Sequence, residues 1–234
     1  MHKTLLAALA TLVLSLTATG ASATPGGPSA RAVADGFFQT VFGLEHGHHP
    51  DAQKVKRYTG VVRFHVSDRS GRNRLPAARQ FLTSLPKRIR HFKGVEVQRA
   101  RDANFRILLV RGADFVTTVR RELRTDATAM GARCIVGVTT HNGHIGGSVA
   151  IIVADDDYLF ARCLVEEVLQ GLGPMNDSNE LAGSVFNDSS HHTVFTEFDA
   201  GILNVLYHPA IRPGMSGRDV HRALPIALRD LGYR

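Results

Sequence analysis

A chain of 234 residues that is 44% hydrophobic and 21% charged can bury an ordinary core, which excludes disorder as the default state. Its net charge of +7 is dispersed. The densest run, Lys87-Arg-Ile-Arg-His91, has no interleaved aromatics, and the export expected from residues 1–23 argues against a nucleic-acid partner, so it reads as a solvated helix face.

Residues 1–23 read as a secretory signal peptide. Lys3 precedes the apolar run from Leu5 to Leu16, and Ala21-Ser-Ala23 supplies small residues for cleavage after Ala23. The run is too short for a transmembrane helix, and no later segment is long and apolar enough to span a bilayer. The mature chain is therefore expected in the periplasm or the medium, with Thr24 to Ala30 as a linker and residues 31–234 as one domain.

The spacing of Phe37, Phe38, Val41 and Phe42 predicts a first helix from Arg31 to Leu44. The loop Glu45-His-Gly-His-His-Pro50 follows; its glycine and proline leave ligand geometry unfixed, so its histidines are read as surface residues. Gly60 to Val66 reads as a strand, and Leu75 to Phe92 as a helix interrupted or kinked near Pro86. Val95 to Val97 and Phe105 to Val110 are strand candidates, and Asp114 opens a helix through Leu123. Cys134 to Thr140 and Gly147 to Val153 form a hairpin around Asn142-Gly143. Asp155 to Asp157 cap the next helix. Helices over Glu197 to Tyr207 and Gly217 to Leu231 complete the chain. This order predicts an α+β fold, a mixed sheet with packed helices and a helical C-terminal half.

The chain is organised around Cys163-Leu-Val-Glu-Glu-Val-Leu-Gln-Gly-Leu-Gly-Pro-Met-Asn-Asp177. Leu164, Val165, Val168, Leu169 and Leu172 form one buried stripe of a helix. Cys163, Glu166, Glu167 and Gln170 share the adjacent stripe, so two carboxylates and an amide project together. Gly171, Gly173 and Pro174 end the helix and turn Asn176 and Asp177 back toward that stripe. A solvated Glu-Glu-x-x-Gln face is the alternative reading. Cys134 and Cys163, an even pair in an oxidising compartment, read as one disulfide closing a 29-residue separation; a thiolate metal ligand or a nucleophile is the functional alternative.

The spacing resembles that of a zincin helix, which places His, Glu and His where Glu166, Glu167 and Gln170 stand here, and the longer metzincin pattern reaches Gly173 and Asn176. Ser184-Val-Phe186 resembles a metzincin Met-turn with Phe186 at the methionine position. The composite of Cys-Leu-x-Glu-Glu-x-x-Gln-x-Leu-Gly-x-x-Asn-Asp, Ser-x-Phe-Asn-Asp and Leu-Tyr-x-Pro-x-Ile-Arg-Pro-Gly-Met is similar to the bacterial domain-of-unknown-function family numbered 2927. It is densest from Cys163 to Met215, and Phe42 to His46 fits the family's N-terminal end.

The zincin resemblance implies a zincin-like fold with a central active-site-type helix. It also implies Glu167 as general base, Glu166 and Gln170 as two metal ligands, and Asn176 or Asp177 as the third. The implied cofactor is a divalent ion, and an oxygen-only donor set favours calcium or magnesium over zinc. His191 and His192 are further ligand candidates from the following loop. Asp199, in Thr196-x-x-Asp199, suits either a helix cap or a hydrogen bond supporting the site. Two facing carboxylates also suit metal-free glycoside hydrolysis, which the absence of Trp disfavours. The functional expectation is a divergent metallopeptidase or hydrolase of the cell envelope acting on peptide, protein or envelope polymer. Its alternative is a non-catalytic relative that binds such a partner.

Overall fold

The computed structural model describes residues 27–45, 47–125 and 132–233, so the signal-peptide reading and His46 lie outside the described residues. The elements are α1 (Ala30–Val41), β1 (Val62–Asp68), α2 (Leu75–Arg88), β2 (Gly94–Glu96), β3 (Phe105–Val110), α3 (Gly112–Leu123), β4 (Cys134–His141), β5 (His144–Val153), α4 (Asp157–Gln170), α5 (Glu197–Tyr207) and α6 (Gly217–Asp230). The strands form one mixed sheet in the order β2-β1-β3-β5-β4. The first four run parallel and β4 pairs antiparallel with β5 at the edge. The chain is therefore α+β, as its element order predicts.

Alternation along the strands divides the core in two. Leu108, Val110, Ile151 and Val153 pack with Phe115 and Val119 of α3 on one face. Phe105, Ile107, Leu109, Ala150 and Ile152 meet Leu164, Val168 and Leu172 on the other. Because both faces are covered, β3 is an almost unbroken apolar run.

Local chemistry sets most boundaries. Ser29 caps α1, Asp156 caps α4, and Thr196 with Asp199 and Ser216 with Asp219 close capping boxes on α5 and α6. Asp155 and Asp157 have other work: Asp155 accepts from the Gly112 amide at 2.6 Å, and Asp157 pairs with Arg74 at 2.6 Å. The helix expected to reach Phe92 stops at Arg88, because Ile89 is extended and His91 takes a φ of 62°. Within Lys87 to His91, Ile89 is buried and Arg88 reaches Glu197 at 2.5 Å, so only part of that run is a solvated face.

The Asn142-Gly143 hairpin has φ of 49° and 80° at its two central residues, as a type I′ turn requires. A Cβ at Gly143 would lie 2.1 Å from the Gly214 nitrogen, so the turn also needs glycine for close approach. The end of α4 corrects one expectation. Gly171 is right-handed, with φ of −62°, and is required because a Cβ there would meet the Phe105 ring at 2.3 Å. The left-handed residue is Gly173, with φ of 140°.

Candidate functional site

The site lies where α4, the outer strand and two loops meet. Cys134 at the start of β4 is bonded to Cys163 on α4, as the even count predicts. The cross-link fixes the helix one turn before its carboxylates. Glu166, Glu167 and Gln170 are 6%, 5% and 2% exposed, so the face read alternatively as a solvated surface is buried. A buried pair of carboxylates needs partners or neutralisation, whereas a solvated pair needs neither.

The loop after Gly173 returns Asp177 to this face. Gln170 Nε2 donates to Asp177 Oδ1 at 2.8 Å and to Glu45 Oε2 at 3.4 Å. Arg162, one turn before Glu166, pairs with it at 3.2 Å, lies 3.9 Å from Asp188, and donates to the Ser190 carbonyl. Carboxylate oxygens of Glu45, Asp177 and Asp188 lie within 4.8 Å of one another. The other Asp177 oxygen, Oδ2, is buried with no hydrogen-bond partner. The Glu167 carbonyl accepts from the Gly171 amide at 3.0 Å, but its carboxylate accepts no hydrogen bond from any described residue. Arg162 is thus in ion-pair range of two carboxylates, Glu166 and Asp188, of the five gathered here.

Burial, with the charges of Glu166, Glu45 and Asp177, holds the Glu167 carboxyl well above its usual range. Burial also pushes Glu166 up to about 8, with Arg162 opposing and the neighbouring carboxylates adding to the rise. Asp177 is raised to about 7 by burial and then by Glu45 and Asp188. At neutral pH the cluster must hold protons or a cation, because full ionisation would leave crowded charges in a poorly solvated space.

Glu166, Glu167, Gln170 and Asp177 are therefore brought together. Asn176 is placed differently: its amide nitrogen donates to the Gln39 and Asp177 carbonyls at 2.8 and 3.1 Å, and its side chain lies against Gly43. Asp199 is fully buried and accepts from Ser184 Oγ at 2.7 Å and Thr196 Oγ1 at 2.7 Å. It completes the capping box of α5 as the N3 partner of Thr196 and anchors the Ser184–Phe186 turn, and burial raises its carboxyl. His191 meets Tyr158 at 3.1 Å, and His192 lies 3.1 Å from the Ala182 carbonyl.

Three members of the cluster escaped the sequence reading. Arg162 precedes Glu166 by four residues, a pairing visible in sequence. Asp188 closes the Ser184-to-Asp188 motif. Glu45 was hidden by the histidines beside it, and its place depends on Lys56, which is 1% exposed. The Lys56 ammonium donates to the carbonyls of Val41, Ala52 and Lys54 at 2.8, 3.1 and 3.2 Å, which folds the loop so that the Glu45 amide reaches the Met175 carbonyl at 2.8 Å.

A narrow pocket of about 60 Å³, lined by Glu45, Cys134, Gln170 and Met175 among others, adjoins the cluster. An open groove of about 720 Å³ runs beside β4, with Val136, Val138, Leu44, His49, Arg106 and Met175 on its walls. Because β4 is the edge strand, no other strand among the described residues pairs with its outer side.

The profile of a family described as a protein of unknown function (DUF2927) matches residues 30–226. Comparison with curated proteins gave no match. The chain belongs to the DUF2927 family.

Proposed function

We propose that this DUF2927 member is an exported, zincin-like hydrolase of the cell envelope, in which a hard divalent cation sits among the carboxylates at the end of α4. The observation that carries this reading is Glu167, a carboxylate 5% exposed, without a hydrogen-bond partner among the described residues and ringed by other carboxylates. Such a group is stable protonated or beside a cation.

Glu45, Asp177 and Asp188, whose carboxylate oxygens lie within 4.8 Å of one another, form with nearby Glu166 an oxygen set of the kind calcium and magnesium take. Gln170, whose amide nitrogen faces Asp177 and Glu45, holds them in place. The set lacks the imidazoles of a zincin, so zinc is the poorer fit in this oxidised form. When bound, such an ion supplies polarisation of a substrate carbonyl and a more acidic water. Glu167, once ionised, would serve as the base that accepts a proton from a water and delivers it to the leaving group, Arg162 offsets the charge of Glu166, and Asp199 holds the Ser184–Phe186 turn. An extended peptide or envelope polymer lies in the groove along β4, whose outer backbone N–H and C=O groups suit main-chain pairing.

Glu167→Gln tests the role. Fold and cation binding are retained while hydrolysis of a peptide library falls by ~100-fold or more; unchanged hydrolysis contradicts the assignment.

One observation favours a non-catalytic reading. Gln170 already donates to one oxygen of Asp177 and one of Glu45, as a structural network does. That reading expects no stoichiometric cation and a folding defect in Gln170→Ala without any activity to lose.

A further inference from the structure

The cluster contains one donor that the oxidised protein does not offer. Cys134 Sγ and carboxylate oxygens of Glu166 and Glu167 all lie within 4.8 Å of one another. Cys134 is half-buried and lines the narrow pocket beside Gln170, whereas Cys163 is fully buried in the core. Bonded to Cys163, the Cys134 sulfur carries no thiolate charge and is a poor ligand. Glu167 makes this more than an acidic cluster: it is 5% exposed, and its carboxylate lacks a hydrogen-bond partner among the described residues and shares the space with that sulfur.

We propose that reducing the Cys134–Cys163 disulfide creates a Cys134–Glu166–Glu167 site for a borderline-soft divalent ion such as Zn²⁺, and so removes Glu167 from its role as base. The effect on activity rests on the hydrolase reading above; the metal site rests on geometry alone. Zinc takes sulfur at ~2.3 Å and carboxylate oxygen at ~2.1 Å, so tetrahedral ligand atoms stand roughly 3.6 Å apart and the three groups need close by no more than about an ångström. Cleaving the S–S bond frees Cys134 to make that movement. Cys163 then remains as a small buried hydrophobe.

The chemistry balances with an external dithiol as the two-electron reductant. One thiolate of the dithiol attacks Cys134 Sγ and expels the Cys163 thiolate, which takes up a proton. The second thiol closes the dithiol into a disulfide and expels the Cys134 thiolate. A divalent ion then binds thiolate and carboxylates in place of their protons. The thiolate is what shifts preference toward zinc and away from calcium or magnesium.

Co²⁺ titration of the oxidised protein, the dithiol-reduced protein, Cys163→Ala and Cys134→Ala tests this, with circular dichroism run on each sample. The reduced protein and Cys163→Ala bind about one Co²⁺ per chain at least ~10-fold more tightly than the oxidised protein and show a sulfur-to-cobalt charge-transfer band. Zn²⁺ displaces the Co²⁺ and abolishes the band. The oxidised protein and Cys134→Ala lack it. Equal affinities, a missing band in Cys163→Ala, a band that persists in Cys134→Ala, or unfolding on reduction each overturns the proposal. If the oxidised protein binds no calcium or magnesium while Cys163→Ala shows the band, the hydrolase reading fails and the thiolate site stands.

Discussion

Gln170 Nε2 donates to Asp177 Oδ1 across 2.8 Å, closing the last turn of α4 onto the loop that follows it. The bond satisfies one oxygen of a carboxylate whose other oxygen has no partner. Gln170→Ala is expected to destabilise the fold by about 1–3 kcal/mol, because it leaves a buried acceptor without its donor. Urea unfolding of the variant against the parent measures the change. A loss within experimental error contradicts the role given to this bond.

In chelator-treated protein, the carboxylates set the pH dependence. Asp177 rises from 3.8 to about 7 and Glu166 from 4.5 to about 8. Both bind protons more tightly folded than unfolded, so their contribution is fully present below the unfolded values and is lost as pH rises through about 7 and about 8. Melting temperature therefore falls across that window, and a saturating divalent cation reverses the fall. A flat profile in chelator contradicts the crowding of charge at this site.

Lys56 positions the loop that carries Glu45. Burial pushes its ammonium down to about 8, with the Asp51 carboxylate opposing the fall. Lys56→Met removes the donor shared by the Val41, Ala52 and Lys54 carbonyls and is expected to cost about 2–3 kcal/mol. Amide exchange should quicken from Gly43 to Lys54 more than elsewhere. Uniform acceleration across the chain contradicts a local role.

The Cys134–Cys163 bond spans 29 residues, and its removal is expected to cost roughly 3 kcal/mol in the chain-entropy picture. A domain of ordinary stability, about 5–15 kcal/mol, stays folded after that loss. Denaturant unfolding of the Cys134→Ala, Cys163→Ala double variant measures it.

How far the sequence reaches differs between elements. β3 and α5 start and stop where apolar spacing and the Thr196 cap place them, because those signals are local. The hairpin at Asn142-Gly143 is equally local. Burial of Glu166 and Glu167 is not, since one polar stripe suits either water or a packed edge strand, and only the docking of β4 and the return of Asp177 decide. Glu45 reaches the site through the Lys56 carbonyl cage, a tertiary arrangement with no periodicity to read.

The central claim is that the carboxylate cluster holds a divalent cation. The most direct measurement is the metal content of oxidised protein purified from its own host without chelator or added histidines, paired with melting before and after chelation. About one calcium or magnesium per chain is expected, with a melting temperature that falls on chelation and recovers when the ion returns. No bound metal and an unchanged melt would contradict it.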